Sequence, residues 1–299
     1  MRDEEVPHAR SPESPLVSGS TAFVCATCGT LYPAGDAPPA ACPVCQDVRQ
    51  YVPDTGQRWT TLVELTSRHH NAVERLEPGL YAIRSEPRVG IGQRALLLQT
   101  PAGNVLWDCV TLVDQSTVEA VRALGGIDAI AISHPHYYSA HRLWAEAFDA
   151  PVYLHGADRA WVVDPHARVR PWEGDRQHLI EGVTLVRAGG HFPGGTVLHW
   201  PAGAGGAGAV LSGDILQVTP DRGVVGFMYS YPNYLPLPAW EVDAVAEAVL
   251  SLDFDRIYGA FEGGRIGQGA REAVEQGRRR YLQALRGELP GLRPSPTPS

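Results

Sequence analysis

Ala129-Ile-Ala-Ile-Ser133-His134-Pro135-His136-Tyr137-Tyr138-Ser139 is an apolar run that breaks into His-x-His. Such a run reads as a strand, and the spacing lets both imidazoles leave its end toward one point. Downstream, Gly189-Gly190-His191 follows one strand-like stretch and Ser212-Gly213-Asp214 follows another. Three imidazoles and a carboxylate, carried on loops that a rigid sheet positions, are the donors of a first-row metal site. Isolated histidines are more often packed or surface residues, and His8, His69, His70, His155, His166, His178 and His199 are read that way. His141 is expected on the surface of the helix that follows the motif, one turn beyond Tyr138.

Around the motif, strands are expected over 80–84, 95–100, 105–109, 129–133, 152–154, 183–188, 196–200, 209–212 and 256–258. Helices are expected over 116–124, 139–148, 239–250 and 270–286. Consecutive strands followed by strand–helix alternation suggest layered sheets flanked by helices, without choosing one such fold. The run 205–208 reads as a loop tip.

A second constellation precedes this region. Cys25-Ala-Thr-Cys28-Gly29 and Cys42-Pro43-Val44-Cys45 are two Cys-x-x-Cys turns. Each turn grips one edge of a tetrahedral ion, and the two together close its shell. Disulfides are the alternative, but the chain shows no export signal. Cys109, at a strand end, reads as a small buried hydrophobe. The division expected is a tail over 1–20, a cysteine-bearing domain over 21–56, a large domain over 57–289 and a second tail over 290–299.

Composition sets limits. The 299 residues accommodate one large and one small domain, with 44% hydrophobic residues for a core. A formal net charge of -8 argues against nucleic-acid and anionic-membrane partners, which need a basic face. All 25 basic residues are arginine, so no lysine is present to form a Schiff base. No run of about eighteen apolar residues exists, and residues 1–20 lack the apolar core of a signal peptide, so cytoplasmic residence is expected.

The order Ser133-His134-x-His136, Gly190-His191, Gly213-Asp214 resembles the metallo-β-lactamase superfamily, over roughly residues 60–285. Asp108, after Val105-Leu106-Trp107, matches that family's early strand-end aspartate. The resemblance implies a four-layer αββα sandwich with metal bound by His134, His136, His191 and Asp214. Three family ligands are missing: Tyr138 and Ser139 stand where an Asp-His pair is usual, and Phe261 aligns with a late histidine. One ion, not two, is therefore expected. The segment Phe23 to Tyr32 with Cys42 to Cys45 resembles the rubredoxin-like domain of rubrerythrins, and also a structural zinc ribbon. Zinc or iron suits either centre.

The chain after Asp214, Phe227-Met-Tyr-Ser-Tyr-Pro-Asn-Tyr-Leu-Pro236, reads as the wall of a substrate pocket. Tyr229, Tyr231 and Tyr234 supply phenols there, and Arg265 a cation. Three functions compete. The leading one is a mononuclear hydrolase of a small molecule, with Tyr138 and Asp214 assisting at the metal. The second is an iron oxidoreductase like the superfamily's persulfide dioxygenases, fed by the cysteine domain and a redox partner. The third is a non-catalytic metal-binding protein.

Overall fold

The computed structural model describes residues 21–291. The expected tails, 1–20 and 290–299, lie outside the described residues apart from Pro290 and Gly291.

The front unit is a small antiparallel sheet in the order β2-β1-β3, from β1 (Ala22–Cys25), β2 (Leu31–Ala34) and β3 (Trp59–Thr61). A single turn, α1 (Pro43–Gln46), starts at the third cysteine, with proline supplying the fixed φ of a first helical residue. The boundary expected at residue 56 falls too early. Trp59, Thr60 and Thr61 pair with Cys25, Val24 and Phe23, so the front sheet takes its third strand from beyond it. Thr61 then caps α2 (Leu62–Arg68) through a reciprocal bond with Glu64.

Seven strands follow in one sheet, ordered β10-β9-β8-β7-β6-β5-β4. They are β4 (His70–Glu77), β5 (Leu80–Glu86), β6 (Ala95–Thr100), β7 (Gly103–Trp107), β8 (Ala129–Ala131), β9 (Val152–His155) and β10 (Val169–Trp172). Between β7 and β8 runs α3 (Gln115–Ala123), capped by Asp114 on Thr117 N–H; α4 (His141–Phe148) lies between β8 and β9. The second sheet is ordered β11-β12-β13-β14-β17-β18. Its strands β11 (Arg176–Ile180), β12 (Val183–Arg187), β13 (Thr196–Trp200) and β14 (Ala209–Gly213) are antiparallel. A short turn, α5 (Gly203–Gly206), joins β13 to β14, and a ribbon of β15 (Gln217–Val218) and β16 (Val225–Gly226) follows. Then come α6 (Ala239–Leu250), β17 (Arg256–Gly259), β18 (Arg265–Ile266) and α7 (Ala270–Leu285).

Side-chain alternation with period 2 assigns the layers. On β6, Leu96 and Leu98 face the second sheet in a core with Leu185, Leu198 and Leu211, while Ala95 and Leu97 face the other way. That outer face packs on α3 and α4 through Val118, Val121, Trp144 and Ala145. The outer face of the second sheet, Val186, Val197, Val210 and Ile257, packs on α6 and α7. Four layers, αββα, result. The half-exposed edge strands β4, β10 and β11 were absent from the sequence reading because charged residues dilute their alternation.

The front unit docks on the end of the sandwich where β7 and β8 stop. Gly29 O accepts from Thr111 Oγ1 (2.8 Å), and Leu31 N–H donates to Ser139 O (3.2 Å). Gly90, at φ +58°, passes so close that a Cβ would lie 2.7 Å from the Cys28 carbonyl carbon. Asn233 Nδ2 donates to the carbonyls of Val48 and Gln50, both at 2.8 Å.

Candidate metal centre

β8 ends at Ala131, and His134 opens a 3-10 turn over Pro135–Tyr137. Three residues per turn eclipse positions i and i+3, so Tyr137 meets His134 edge to face with ring centroids 4.3 Å apart. His191 arrives from the loop after β12, where Gly190 N–H donates to Glu241 Oε1 of α6 (2.8 Å). Asp214 follows β14. Gly213 before it has φ +53°, and a Cβ there would stand 2.4 Å from Ser133 Oγ, so only glycine lets the two sheets approach here.

The ligand nitrogens of His134, His136 and His191 all lie within 4.8 Å of one another and are buried. For His191 and His134 the hydrogen bonding shows which nitrogen is free. His191 Nδ1 lies 2.8 Å from Tyr229 O, a carbonyl that only accepts, so Nδ1 carries the proton and Nε2 is bare. That bare Nε2 stands 3.2 Å from His136 Nδ1. Two ligands at about 2.0–2.1 Å on one tetrahedral ion are separated by roughly 3.3–3.4 Å. His134 Nδ1 lies 2.9 Å from Ser133 Oγ, which in turn lies 2.8 Å from Asp108 Oδ1; His134 Nε2 is buried without a partner. Asp108 Oδ1 already accepts the Ser133 N–H and so is the acceptor for the hydroxyl too; the chain runs His134 Nδ1–H to Ser133 O–H to Asp108 and leaves Nε2 for a metal. Asp108 has φ +61°, a left-handed conformation uncommon in any residue but glycine, which directs its carboxylate at the Ser133 N–H (2.7 Å) and hydroxyl.

Burial pushes the pKa of His134 and His136 well below the ordinary value, and that of His191 down to about 4. All three rings are therefore neutral at pH 7, the state that binds metal. The residues fit a divalent ion.

Asp214 does not join the three-histidine group. Its Oδ1 is buried without a hydrogen-bond partner. Burial pushes its pKa up to about 7, against the lowering effect of the Tyr137 hydroxyl beside it. The phenol at the centre is thus Tyr137, not Tyr138 as the sequence reading expected. Tyr138 is turned away: its hydroxyl donates to Asp158 O (3.4 Å) and its ring lies 6.2 Å from His141. Ser139 is committed to Gln93 Nε2 (2.9 Å), and Phe261 packs on the apolar core. His141, expected on the surface, is buried against His166, with ring centroids 5.1 Å apart.

The aromatic segment divides. Tyr229 gives its carbonyl to His191, and Tyr231 lies 5.6 Å from the His191 ring with its hydroxyl on Asp214 O (3.0 Å). Tyr234 is 84% exposed and lines nothing at the histidines. Arg265 is also elsewhere, in a cavity of about 560 Å³ with Arg94, Arg222 and Glu262, which none of the three histidines lines. Glu262 pairs with Arg84 (3.9 Å). Two contributors escaped the sequence reading: Glu241, which carries no motif, and Arg49, which reaches the site only because the front unit docks beside it.

In the front unit the four cysteine sulfurs form a second buried group within 4.8 Å. Cys25 and Cys45 Sγ are 3.5 Å apart, and Cys28 and Cys42 Sγ 3.6 Å, too far for disulfides and near the edge of a tetrahedral thiolate site. Donors surround the sulfurs: Tyr32 O–H on Cys42 and Gln57 Nε2 on Cys25, both at 3.1 Å. Hydrogen bonds among the four push the Cys25 thiol down and the Cys28 and Cys45 thiols up, so a bound cation is needed to hold all four as thiolates. Cys109 is fully buried, as expected of a small hydrophobe.

The profile of the metallo-beta-lactamase superfamily matches residues 89–260. The uncharacterized protein YmaE of Bacillus subtilis (strain 168) is 46% identical over 269 residues, which cover 89% of this chain and 98% of that protein. Among solved structures, DIM-1 metallo-beta-lactamase superposes with a TM-score of 0.56 at 13% identity, over 72% of this chain and 98% of that one. A B3 metallo-beta-lactamase with an active-site glutamic acid superposes with a TM-score of 0.50 at 21% identity, over 74% and 93%. At these identities the structures speak to the fold.

Proposed function

Because the chain belongs to the metallo-β-lactamase superfamily, we propose that it is a metal-dependent hydrolase of a small molecule, with one ion at His134, His136 and His191. The observation that carries the proposal is the grouping of three buried imidazoles, with Nε2 of His134 and of His136 unpartnered, together with a buried carboxylate, Asp214, whose Oδ1 is unpartnered. A divalent ion bound there supplies Lewis acidity and makes water acidic near neutral pH. Asp214 is the buried carboxylate that would take the proton of the attacking water and return it to the leaving group. The Tyr137 hydroxyl stands beside the Asp214 carboxylate and favours its charged form, and the Tyr231 hydroxyl donates to the Asp214 backbone carbonyl. Tyr138, Ser139 and Phe261 offer no donors for a second ion. No helix among the described residues is long and apolar enough to cross a membrane.

The test is turnover of zinc-loaded protein on a panel of carboxylic esters, thioesters, lactams and phosphodiesters. Asp214→Asn should lower kcat by about 10²–10⁴-fold while keeping the ion. His134→Ala should remove both ion and turnover. Hydrolysis that survives complete chelation would overturn the proposal.

One contact favours a second reading, an iron oxidoreductase. Trp161 packs on the cysteine cluster and, at 5.7 Å between centroids, on Phe192, whose ring touches all three histidines. A red protein bleached by dithionite would select this reading; a colourless active protein selects the hydrolase.

A further inference from the structure

Arg49 belongs to the front unit by sequence and to the histidine centre by position. It stands four residues after Cys45, past the single turn of α1, whose end is tied by Gln46 N–H on Cys42 O and Asp47 N–H on Pro43 O. Asp47 then grips the guanidinium, from Nε at 2.6 Å and Nη2 at 3.1 Å. The remaining nitrogen, Nη1, donates to the His191 carbonyl at 3.4 Å. The guanidinium carbon lies 3.9 Å from the centroid of the Phe192 ring. Phe192 in turn meets His136, His191 and His134 at centroid distances of 4.9, 5.2 and 5.6 Å.

A second tie runs beside the first. Ser230 Oγ donates to Arg49 O (3.1 Å), and the residue before it, Tyr229, supplies the carbonyl that fixes His191 Nδ1. His191 is therefore held from both sides by groups anchored to Arg49. A cation near the centre opposes a metal ion by repulsion, but Asp47 at 2.6 Å neutralises this one, so its net effect is orientation. The front core itself is four cysteines, Tyr32 and Val44, too little to order α1 without a metal.

We propose that the four-cysteine knuckle acts on the three-histidine centre through Arg49. A metal in the knuckle holds this arginine against His191 and Phe192 and so raises the affinity of the histidines for their own ion. The proposal rests on the reading of His134, His136 and His191 as a metal centre. Arg49 is a positioning residue, which touches neither ion. The coupling is reciprocal, so an ion on the histidines also tightens the knuckle.

The test loads the full chain with cadmium and follows ¹¹³Cd resonances, whose shifts separate thiolate from nitrogen ligation. Wild-type protein should show one of each. In Arg49→Met the thiolate resonance should stay, while the nitrogen resonance shifts and its ion is lost to a competing chelator about 10–100-fold more readily. Asp47→Asn, a milder change, should move the nitrogen site in the same direction and covers the case in which Arg49→Met does not fold. Cys42→Ser, which empties the knuckle, should weaken the nitrogen site by a similar factor. An unchanged nitrogen site in Arg49→Met or, should that variant not fold, in Asp47→Asn overturns the proposal. So does weakening in Cys42→Ser alone, which would mean coupling by another route. A wild-type protein with no nitrogen-ligated resonance removes the metal-centre reading as well.

Discussion

Replacing Ser133 with alanine removes one hydroxyl that serves two groups. Ser133 Oγ accepts from His134 Nδ1 (2.9 Å) and donates to Asp108 Oδ1 (2.8 Å). Asp108 keeps its bond from Ser133 N–H (2.7 Å), so the carboxylate stays in place. His134 Nδ1 does not: it is left buried with no acceptor, at a cost of about 1–3 kcal/mol. The ring can recover by moving its proton to Nε2, the nitrogen that faces the metal. Either way the cost falls on metal binding, because the bare Nε2 tautomer is no longer favoured. Loss of such an outer partner lowers metal affinity by about 10–100-fold, or roughly 1.4–2.7 kcal/mol, which agrees with the cost of the orphaned nitrogen. Asp108, which burial already pushes to about 8, should rise further without the hydroxyl. The assay is chelator competition for zinc on Ser133→Ala and wild-type protein, with the knuckle ion counted separately by thiol titration. An unchanged affinity at the histidines would refute the assigned tautomer and the relay from Asp108. Equal weakening at the knuckle would show a general loss of fold.

Metal analysis of the fully loaded chain should give two ions, one per centre; a third would mean that Asp214 recruits a second ion despite Tyr138, Ser139 and Phe261. Tyr137→Phe should shift the acid limb of the turnover pH profile to higher pH, because the phenol lowers the Asp214 pKa, whereas Tyr138→Phe should leave it unchanged. Burial raises Asp158 to about 6 from an ordinary 3.8, so the fold binds this proton more tightly than the unfolded chain. Stability is therefore lost as pH rises from about 4 to 6, by up to about 3 kcal/mol, and Asp158→Asn should flatten urea midpoints measured across that range. Gly90→Ala would drive a Cβ into the backbone of Cys28 and Gly29, so limited proteolysis should release the front unit while leaving the sandwich intact.

Much of this protein was legible in local pattern. The apolar strand ending in Ser133-His134-x-His136 has chemistry and periodicity in adjacent residues, as do Gly190-His191 and Gly213-Asp214. The strands 95–100 and 196–200 and the helix 239–250 were readable to the residue, because each buries a continuous face. Paired Cys-x-x-Cys turns likewise carry their geometry in their spacing. Position in space was not legible. A 3-10 turn advances about 120° per residue, so whether Tyr137 or Tyr138 faces the metal depends on a helix type that Pro135 alone does not announce. Arg265 looked close to the site because its loop aligns with a family ligand, yet it lines a separate cavity. Arg49 carries no motif. It stands beside His191, 142 positions along the chain, only because two units dock face to face. Sequence determines which donors exist and which strand ends carry them, since periodicity is local. The tertiary structure alone decides which neighbours fix each donor's proton, since those contacts join segments that the chain keeps far apart.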